Sequence, residues 1–73
     1  MDEQKLKECL LEESEEFRRL FEEHRQCEER LEFLRHKGAL TEEEAMEERL
    51  LKKKKLALKD KMYLMMQARQ KSL

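Results

Sequence analysis

The stretch HKGALTEEE, residues 36–44, is where the sequence interrupts an otherwise helical pattern. Gly38 is the only glycine of the chain, which has no proline, and glycine can take the positive φ that often ends a helix. Thr41 and Glu44 have the spacing of a capping box, in which each side chain accepts a hydrogen bond from the other residue's backbone N–H at a helix start. The stretch therefore predicts the end of one helix and the start of another.

Outward from this turn, the composition favours long helices on both sides. Charged residues make up 48% of the 73 residues and hydrophobic residues 38%, and Glu, Lys, Leu and Arg are abundant. The formal net charge of -1 argues against disorder, which usually needs a high net charge. We place helix 1 at about residues 3–36, the turn at 37–41 and helix 2 at about 42–70, within a single domain of residues 1–73.

A connection this short predicts that the two helices are antiparallel neighbours. The fold class we expect is all-α, an antiparallel two-helix hairpin that resembles a coiled coil. Charge agrees with this arrangement, because residues 1–36 carry 12 acids and 7 bases, whereas residues 37–73 carry 6 acids and 10 bases. An antiparallel hairpin lays the acidic arm along the basic one.

Helix 1 has the seven-residue periodicity of a coiled-coil seam. Helix 2 instead carries two apolar lines, which together are wider than one partner helix needs. Its remaining apolar side chains should point elsewhere. The helix 1 seam is Leu6, Leu10, Glu13, Phe17, Leu20, His24, Cys27, Leu31 and Leu34. The first line of helix 2 is Met46, Leu50, Ala57, Leu64 and Ala68, and the second line is Leu51, Leu58, Met62 and Met65. The residues outside both lines are Leu56, Tyr63 and Met66.

This apolar surface exceeds what one hairpin interface can cover, and leftover apolar surface usually marks an association site. We therefore expect a homodimer or higher homo-oligomer, most simply a C2 dimer with a four-helix arrangement. The function expected is a non-enzymatic interaction or structural module that acts through protein–protein contacts with a partner that the sequence does not name. The residues expected to pack or to form the oligomer interface are Leu10, Phe17, Leu20, Phe21, Leu31, Leu50, Leu58, Met62, Leu64 and Met65.

Two stretches are similar to motifs of a known family. FRRLFEEHRQCEERL, residues 17–31, resembles the F-x-x-L-F-x-x-H pattern of the YdcH-like family, and LKKKKLALKDKM, residues 51–62, resembles its K-K-x-K-L-x-L-K-D-x-M segment. The resemblance implies a small bacterial protein of unknown function that forms a helical hairpin or coiled coil, and it implies no activity. The chain departs from the family pattern in two places. Cys27 stands where a larger aliphatic residue is expected, and the turn is shorter. The pattern falls on Phe17, Leu20, Phe21, His24, Lys52, Lys53, Lys55, Leu56, Leu58, Lys59, Asp60 and Met62.

The lysine run at residues 52–55 raises the alternative that the basic segment Lys52–Lys61 binds nucleic acid. Four consecutive residues fan around a helix, however, so the run cannot form one basic face. The pI of about 6.2 and the small number of aromatic residues also make nucleic acid the weaker prediction. Lys54 and Lys61 project near the middle of the apolar stripe, where either their stems lie across apolar surface with the charged heads in water or acids of helix 1 pair with them.

Metal and redox chemistry have only weak candidates. His24 and Cys27 lie three residues apart on one helix face, but zinc usually needs four ligands and no second pair has matching spacing. We interpret His24 as a seam residue and Cys27 as core filler, and we expect no metal and no cofactor. Cys9 and Cys27 are about 27 Å apart if helix 1 is continuous, too far for a disulfide within one chain.

Other function classes find little support in the sequence. Adjacent acid pairs are too common here to indicate a catalytic pair, and no glycine-rich loop or nucleophile arrangement is present, so we expect no enzyme. No segment approaches the ~18 apolar residues of a membrane span, although helix 2 could lie on a membrane surface. The acidic N-terminal stretch lacks the apolar region of a secretory signal, and we expect a cytoplasmic protein.

Overall fold

The computed structural model describes residues 2–71, which form three helices and no strand. The helices are α1, Glu3–Glu13; α2, Glu15–Lys37; and α3, Glu42–Lys71. The molecule is elongated, measuring 48 × 20 × 16 Å along its principal axes. An all-α fold is thus confirmed, but the arrangement has three helices where the sequence predicted two. Within residues 2–71, no helix combines the length and apolar character needed to cross a membrane.

The turn between α2 and α3 follows the sequence prediction closely. Gly38 has a φ of 86° and a ψ of -85°, a conformation that side-chain-bearing residues rarely adopt. The capping box is formed: the Thr41 N–H donates to Glu44 Oε1 at 3.0 Å, and the Glu44 N–H donates to Thr41 Oγ1 at 3.1 Å. Lys37 also donates to the Glu44 carboxylate. The bonds from Lys37 and Thr41 lower the pKa of Glu44 to about 2.

The prediction of an unbroken helix over residues 3–36 is wrong, because the backbone is extended at Ser14, with a φ of -121° and a ψ of 117°. The Ser14 N–H closes α1 by donating to the Leu10 carbonyl at 2.9 Å, and Ser14 Oγ caps α2 by accepting from the Phe17 N–H at 3.1 Å. Arg18 then donates to the carbonyls of Leu11 and Glu12, which α1 leaves unpaired at its end. Serine competes in this way for backbone hydrogen bonds, which favours a helix boundary.

The break lets α1 fold over the end of the α2–α3 pair. The resulting core cluster draws on all three helices, and Phe17 at its centre has an exposed fraction of 0%. Nearer the turn, a second buried set lies between α2 and α3. The first cluster contains Leu6, Leu10, Phe17, Met62 and Met66, with Leu11, Leu20, Phe21 and Met65 packed against it; the second set contains Cys27, Leu31, Leu34 and Leu58.

Ion pairs fix the antiparallel register of α2 and α3. Arg30 donates to both carboxylate oxygens of Glu47, at 2.8 and 3.0 Å, and Lys37 pairs with Glu44. The Arg30–Glu47 pair has its base on the acidic arm, the reverse of the charge argument made from the sequence, whereas Lys37 and Glu44 both belong to the basic arm, residues 37–73. Within residues 2–71, the contact of Arg69 with Glu13, at 3.0 Å, runs in the expected sense.

The sequence left open whether Lys54 and Lys61, near the middle of the stripe, pair with acids of helix 1 or are solvated. Both side chains are exposed, and no ion pair of either is found among residues 2–71. The face of α3 that packs on α2 is centred on Leu58 and Met62. The lysines are therefore solvated, as their long side chains allow.

Candidate interaction surfaces

Two open grooves lie on one side of the α2–α3 pair. The first, of about 570 Å³, is bordered by all three helices. The second, of about 390 Å³, lies nearer the turn, and it shares Leu56 and Lys59 with the first. We call the two together the motif groove. Its lining includes Lys7, Phe21, His24, Asp60, Met62 and Tyr63 in the first part and Leu31, Arg35, Lys52 and Lys55 in the second.

The residues that carry the family resemblance meet in this groove and in the core beneath it. Phe21 and His24 of the first motif face Leu56, Lys59 and Asp60 of the second across the first groove. The remaining motif positions divide between the core, the second groove and the outside of α3. Phe17, Leu58 and Met62 are buried, with Met62 also at the groove floor; Leu20 is partly buried; Lys52 and Lys55 line the second groove; and Lys53 is exposed.

His24 is the one partly buried titratable group of the first groove whose pKa shifts. Its Nδ1 lies 3.0 Å from Glu28 Oε1, and its buried Nε2 has no hydrogen-bond partner in the described part of the chain. Burial lowers the His24 pKa from its ordinary value of 6.5; Glu28 opposes this, whereas the positive charges of Lys55, Lys59 and Lys7 lower the pKa further. The ring is therefore neutral at pH 7, with Nδ1–H donating to the Glu28 carboxylate.

We expect Lys59→Gln to raise the His24 pKa, because it removes a neighbouring positive charge, and Glu28→Gln to lower it, because it removes the stabilising anion. The ring-proton NMR titration of each variant measures both shifts. Because the folded-state pKa is depressed, the stability that His24 contributes is present above pH 6.5 and is lost as the pH falls through the folded-state pKa. Shifts of the same sign in the two variants would contradict this account.

The weak metal candidates remain a pair without further ligands. Cys27 is buried in the seam between α2 and α3, while His24 turns to Glu28. Over residues 2–71, no group of three or more histidine, cysteine or acidic side chains is placed to hold a metal ion. Cys9 and Cys27 are both free thiols.

A second surface runs along the side of α3 away from α2. Leu50 and Leu64 are each 63% exposed and Met46 is 62% exposed, and the small Ala57 lies between them. These four residues, which we call the outer line, form most of one of the two apolar lines predicted for helix 2. The other line packs in the core. The structure therefore shows which of the two apolar lines is buried within a single chain. On α2, the exposed Phe33 ring lies 5.1 Å from the guanidinium of Arg30, which also pairs with Glu47 of α3.

The residues predicted to pack or to form an interface fall into three groups. Half of the ten are in the core of the single chain, three are half-buried at its edge, and two are exposed on the outer line. The buried residues are Leu10, Phe17, Leu31, Leu58 and Met62; the half-buried residues are Leu20, Phe21 and Met65; the exposed residues are Leu50 and Leu64.

Sequence reasoning missed several residues that shape these surfaces. The prediction that Met66 points away from the core is wrong, because α1 covers it, whereas Leu56 and Tyr63 are exposed as expected. Ser14 and the Arg30–Glu47 pair were also missed. The spacing of Arg30 and Glu47 about the turn could have suggested the pair, because an antiparallel register brings them level.

Comparison with known proteins gives one match. Residues 17–66 match a family described as a protein of unknown function, DUF465. The match covers α2 except for its first two residues. It also covers most of α3, and it leaves α1 outside. No curated protein and no solved structure matches the chain.

Proposed function

Because the chain belongs to the DUF465 family of YdcH-like proteins, whose function is unknown, we propose a function from its surfaces. The protein acts as a non-enzymatic interaction module that works in the cytoplasm through protein–protein contacts. It self-associates as a C2 dimer in which the α2–α3 pairs of two copies form a four-helix arrangement. The observation that carries this proposal is the outer line of α3, an apolar row that the folded chain leaves uncovered.

The outer line has the spacing of a helix-pairing surface. Leu50, Ala57 and Leu64 recur every seven residues, the repeat that keeps one stripe facing a partner helix. Scattered apolar residues are common on protein surfaces, whereas a continuous row usually marks an association site. With Met46 at one end, the row extends over about 27 Å of helix, at 1.5 Å per residue.

The titratable groups of the first groove support a role without catalysis. Arg25 is engaged by Glu22 and Glu29 on its own helix, and His24 is held by Glu28. Both His24 and Arg25 thus have an acid partner, and the positive charges of nearby lysines favour a neutral imidazole. Such pairing between residues three and four apart stabilises a helix surface.

Nucleic-acid binding is the second candidate, and one observation favours it. Arg35, Lys52, Lys55 and Lys59 border the motif groove together, which places four bases along one channel. The remaining lysines of the run, Lys53 and Lys54, are exposed outside this groove lining. Binding of phosphates by such a channel depends strongly on counterion release.

Salt concentration separates the two functions. We expect sedimentation equilibrium at micromolar concentration to give twice the 9.0 kDa mass of the chain. Self-association should change by less than about 3-fold between 50 and 500 mM salt, because apolar contact drives it. Binding of a mixed-sequence RNA or DNA would instead weaken over that range. A fully helical 9.0 kDa monomer contradicts the proposed self-association.

A pair of matched variants tests the surface itself. Leu50→Ser shortens an outer-line side chain that is 63% exposed, and Leu56→Ser does the same to a groove side chain that is 61% exposed. We expect Leu50→Ser to weaken self-association about 10-fold or more, since each buried leucine contributes ~1.5–3 kcal/mol and the dimer contains two. Leu56→Ser should leave the dimer unchanged. Equal effects of the two variants would place the interface elsewhere.

A further inference from the structure

We infer that the second copy of this chain docks with its own α3 antiparallel to the first, about a two-fold axis that passes at Ala57. The inference rests on the proposed self-association and deepens it, because it states which residues meet. It follows from three features of α3: the symmetry of the outer line, the charge at the two ends of the helix, and the charges on the edges of the line.

The outer line is symmetric about Ala57. Leu50 lies seven residues before Ala57 and Leu64 lies seven residues after it. In an antiparallel pair centred on Ala57, Leu50 of one protomer is level with the partner's Leu64, about 10.5 Å from the axis at 1.5 Å per residue. A two-fold interface is self-complementary, so the same contact forms twice. The small Ala57 side chain at the centre allows the two helices to approach closely.

The charge along α3 favours the antiparallel direction over the parallel one. The first turn contains Glu42, Glu43 and Glu44, and the last turn contains Arg69 and Lys71. Within the chain Glu44 pairs with Lys37 and Arg69 with Glu13, so an antiparallel pair places Glu42 and Glu43 of one copy beside Lys71 of the other. A parallel pair would place acid against acid and base against base, which opposes association.

The edges of the outer line give the interface a salt dependence. At 100° per residue, Lys53 and Asp60 lie on one edge and Lys54 and Lys61 on the other. In the antiparallel pair Lys53 is beside the partner's Asp60, but Lys54 is beside the partner's Lys61. Both contacts are at the exposed rim, where attraction and repulsion are modest. The two attractive and two repulsive rim contacts nearly cancel, so the salt dependence that they give the interface is small.

A cross-linking experiment tests the axis. Ala57→Cys is made in the full chain together with Cys9→Ser. The chain with Cys9→Ser alone, which keeps only the buried Cys27 at 3% exposure, gives the background rate of cross-linking. A short bis-maleimide should convert Ala57→Cys to a covalent dimer at least about 5-fold faster than it converts Lys52→Cys, an exposed position off the outer line. Equal rates at the two positions would overturn the two-fold axis at Ala57.

Two further variants test the direction. In the antiparallel pair, Leu50→Cys and Leu64→Cys cross-link when mixed, whereas neither cross-links alone, because each residue is about 21 Å from its own copy at 1.5 Å per residue. A parallel pair gives the opposite result and overturns the inference. Sedimentation separates the two proposals: a monomer contradicts both, whereas a dimer without these cross-links contradicts only the antiparallel α3 contact.

Discussion

Replacing Phe17 by alanine is expected to lower the free energy of unfolding by about 3–5 kcal/mol, the typical loss for a fully buried aromatic ring. Phe17 is completely inaccessible to solvent and touches the cluster to which all three helices contribute. Removing the ring leaves a cavity that α1, held by few other buried residues, cannot fill without shifting. A loss of this size is a large part of the ~5–15 kcal/mol that usually stabilises a small domain.

Chemical denaturation followed by circular dichroism measures this change, with Phe33→Ala as the matched control. The Phe33 ring is 55% exposed and contacts Arg30, so its removal should change the stability of the single chain by less than about 1 kcal/mol. The comparison is made on the monomer at low concentration, so that self-association does not contribute to the measured stability. Equal midpoints for Phe17→Ala and the unmodified chain would contradict the three-helix core.

Replacing Gly38 by alanine is expected to destabilise the turn by about 1–3 kcal/mol, the usual strain of a side-chain-bearing residue in a forbidden backbone region. The reason is backbone strain alone, because a Cβ atom built at Gly38 meets nothing within 4 Å. The φ of 86° and ψ of -85° are available to glycine but unfavourable for any residue with a Cβ. The strain falls on the one connection that reverses the chain between α2 and α3.

The control for Gly38→Ala is Ala39→Ser, which changes an exposed neighbour in the same turn and leaves the glycine in place. Thermal unfolding of both variants shows whether the loss is specific to Gly38. Alanine also favours helix over glycine by about 1 kcal/mol, so the variant should populate extended species in which α2 and α3 run on as one helix. A larger hydrodynamic radius reports such species, and an unchanged melting temperature would contradict the strained turn.

The turn and the positions of α2 and α3 could be predicted because they depend on local chemistry. The capping box of Thr41 and Glu44 and the positive φ of Gly38 need only residues close in sequence. The membership of the core was partly predictable for the same reason. Phe17, Leu31 and Leu58 follow the periodicity of their own helices and are buried as expected.

The break at Ser14 could not be read from periodicity. The heptad of the first arm continues from Leu10 to Phe17 without interruption, so the pattern favours a single helix. Tertiary packing decides otherwise, because folding α1 back places Leu6 and Leu10 against Met62 and Met66. In a two-helix scheme nothing covers Met66, which is why the sequence argument left it outside the core.

Tertiary packing also decides which of the two apolar lines of α3 is buried. Both lines have similar hydrophobicity, and only contact with α1 and α2 selects the one with Leu58 and Met62 for burial. Leu50 and Leu64 consequently remain exposed in the single chain. The motif groove was even less accessible to sequence reasoning, since the two motifs that line it lie on different helices and meet only after the chain reverses at Gly38.

We expect the single extended residue at Ser14 to divide the protein into two cooperative units of unequal stability. α1 is joined to the rest by one non-helical link and lies outside the matched family segment, whereas α2 and α3 are tied by the capped turn and by interhelical ion pairs. Sub-global opening of α1 therefore requires less free energy than global unfolding. In such an opening α1 separates from α2 and α3, and Phe17 becomes exposed to solvent while α2 and α3 keep their register.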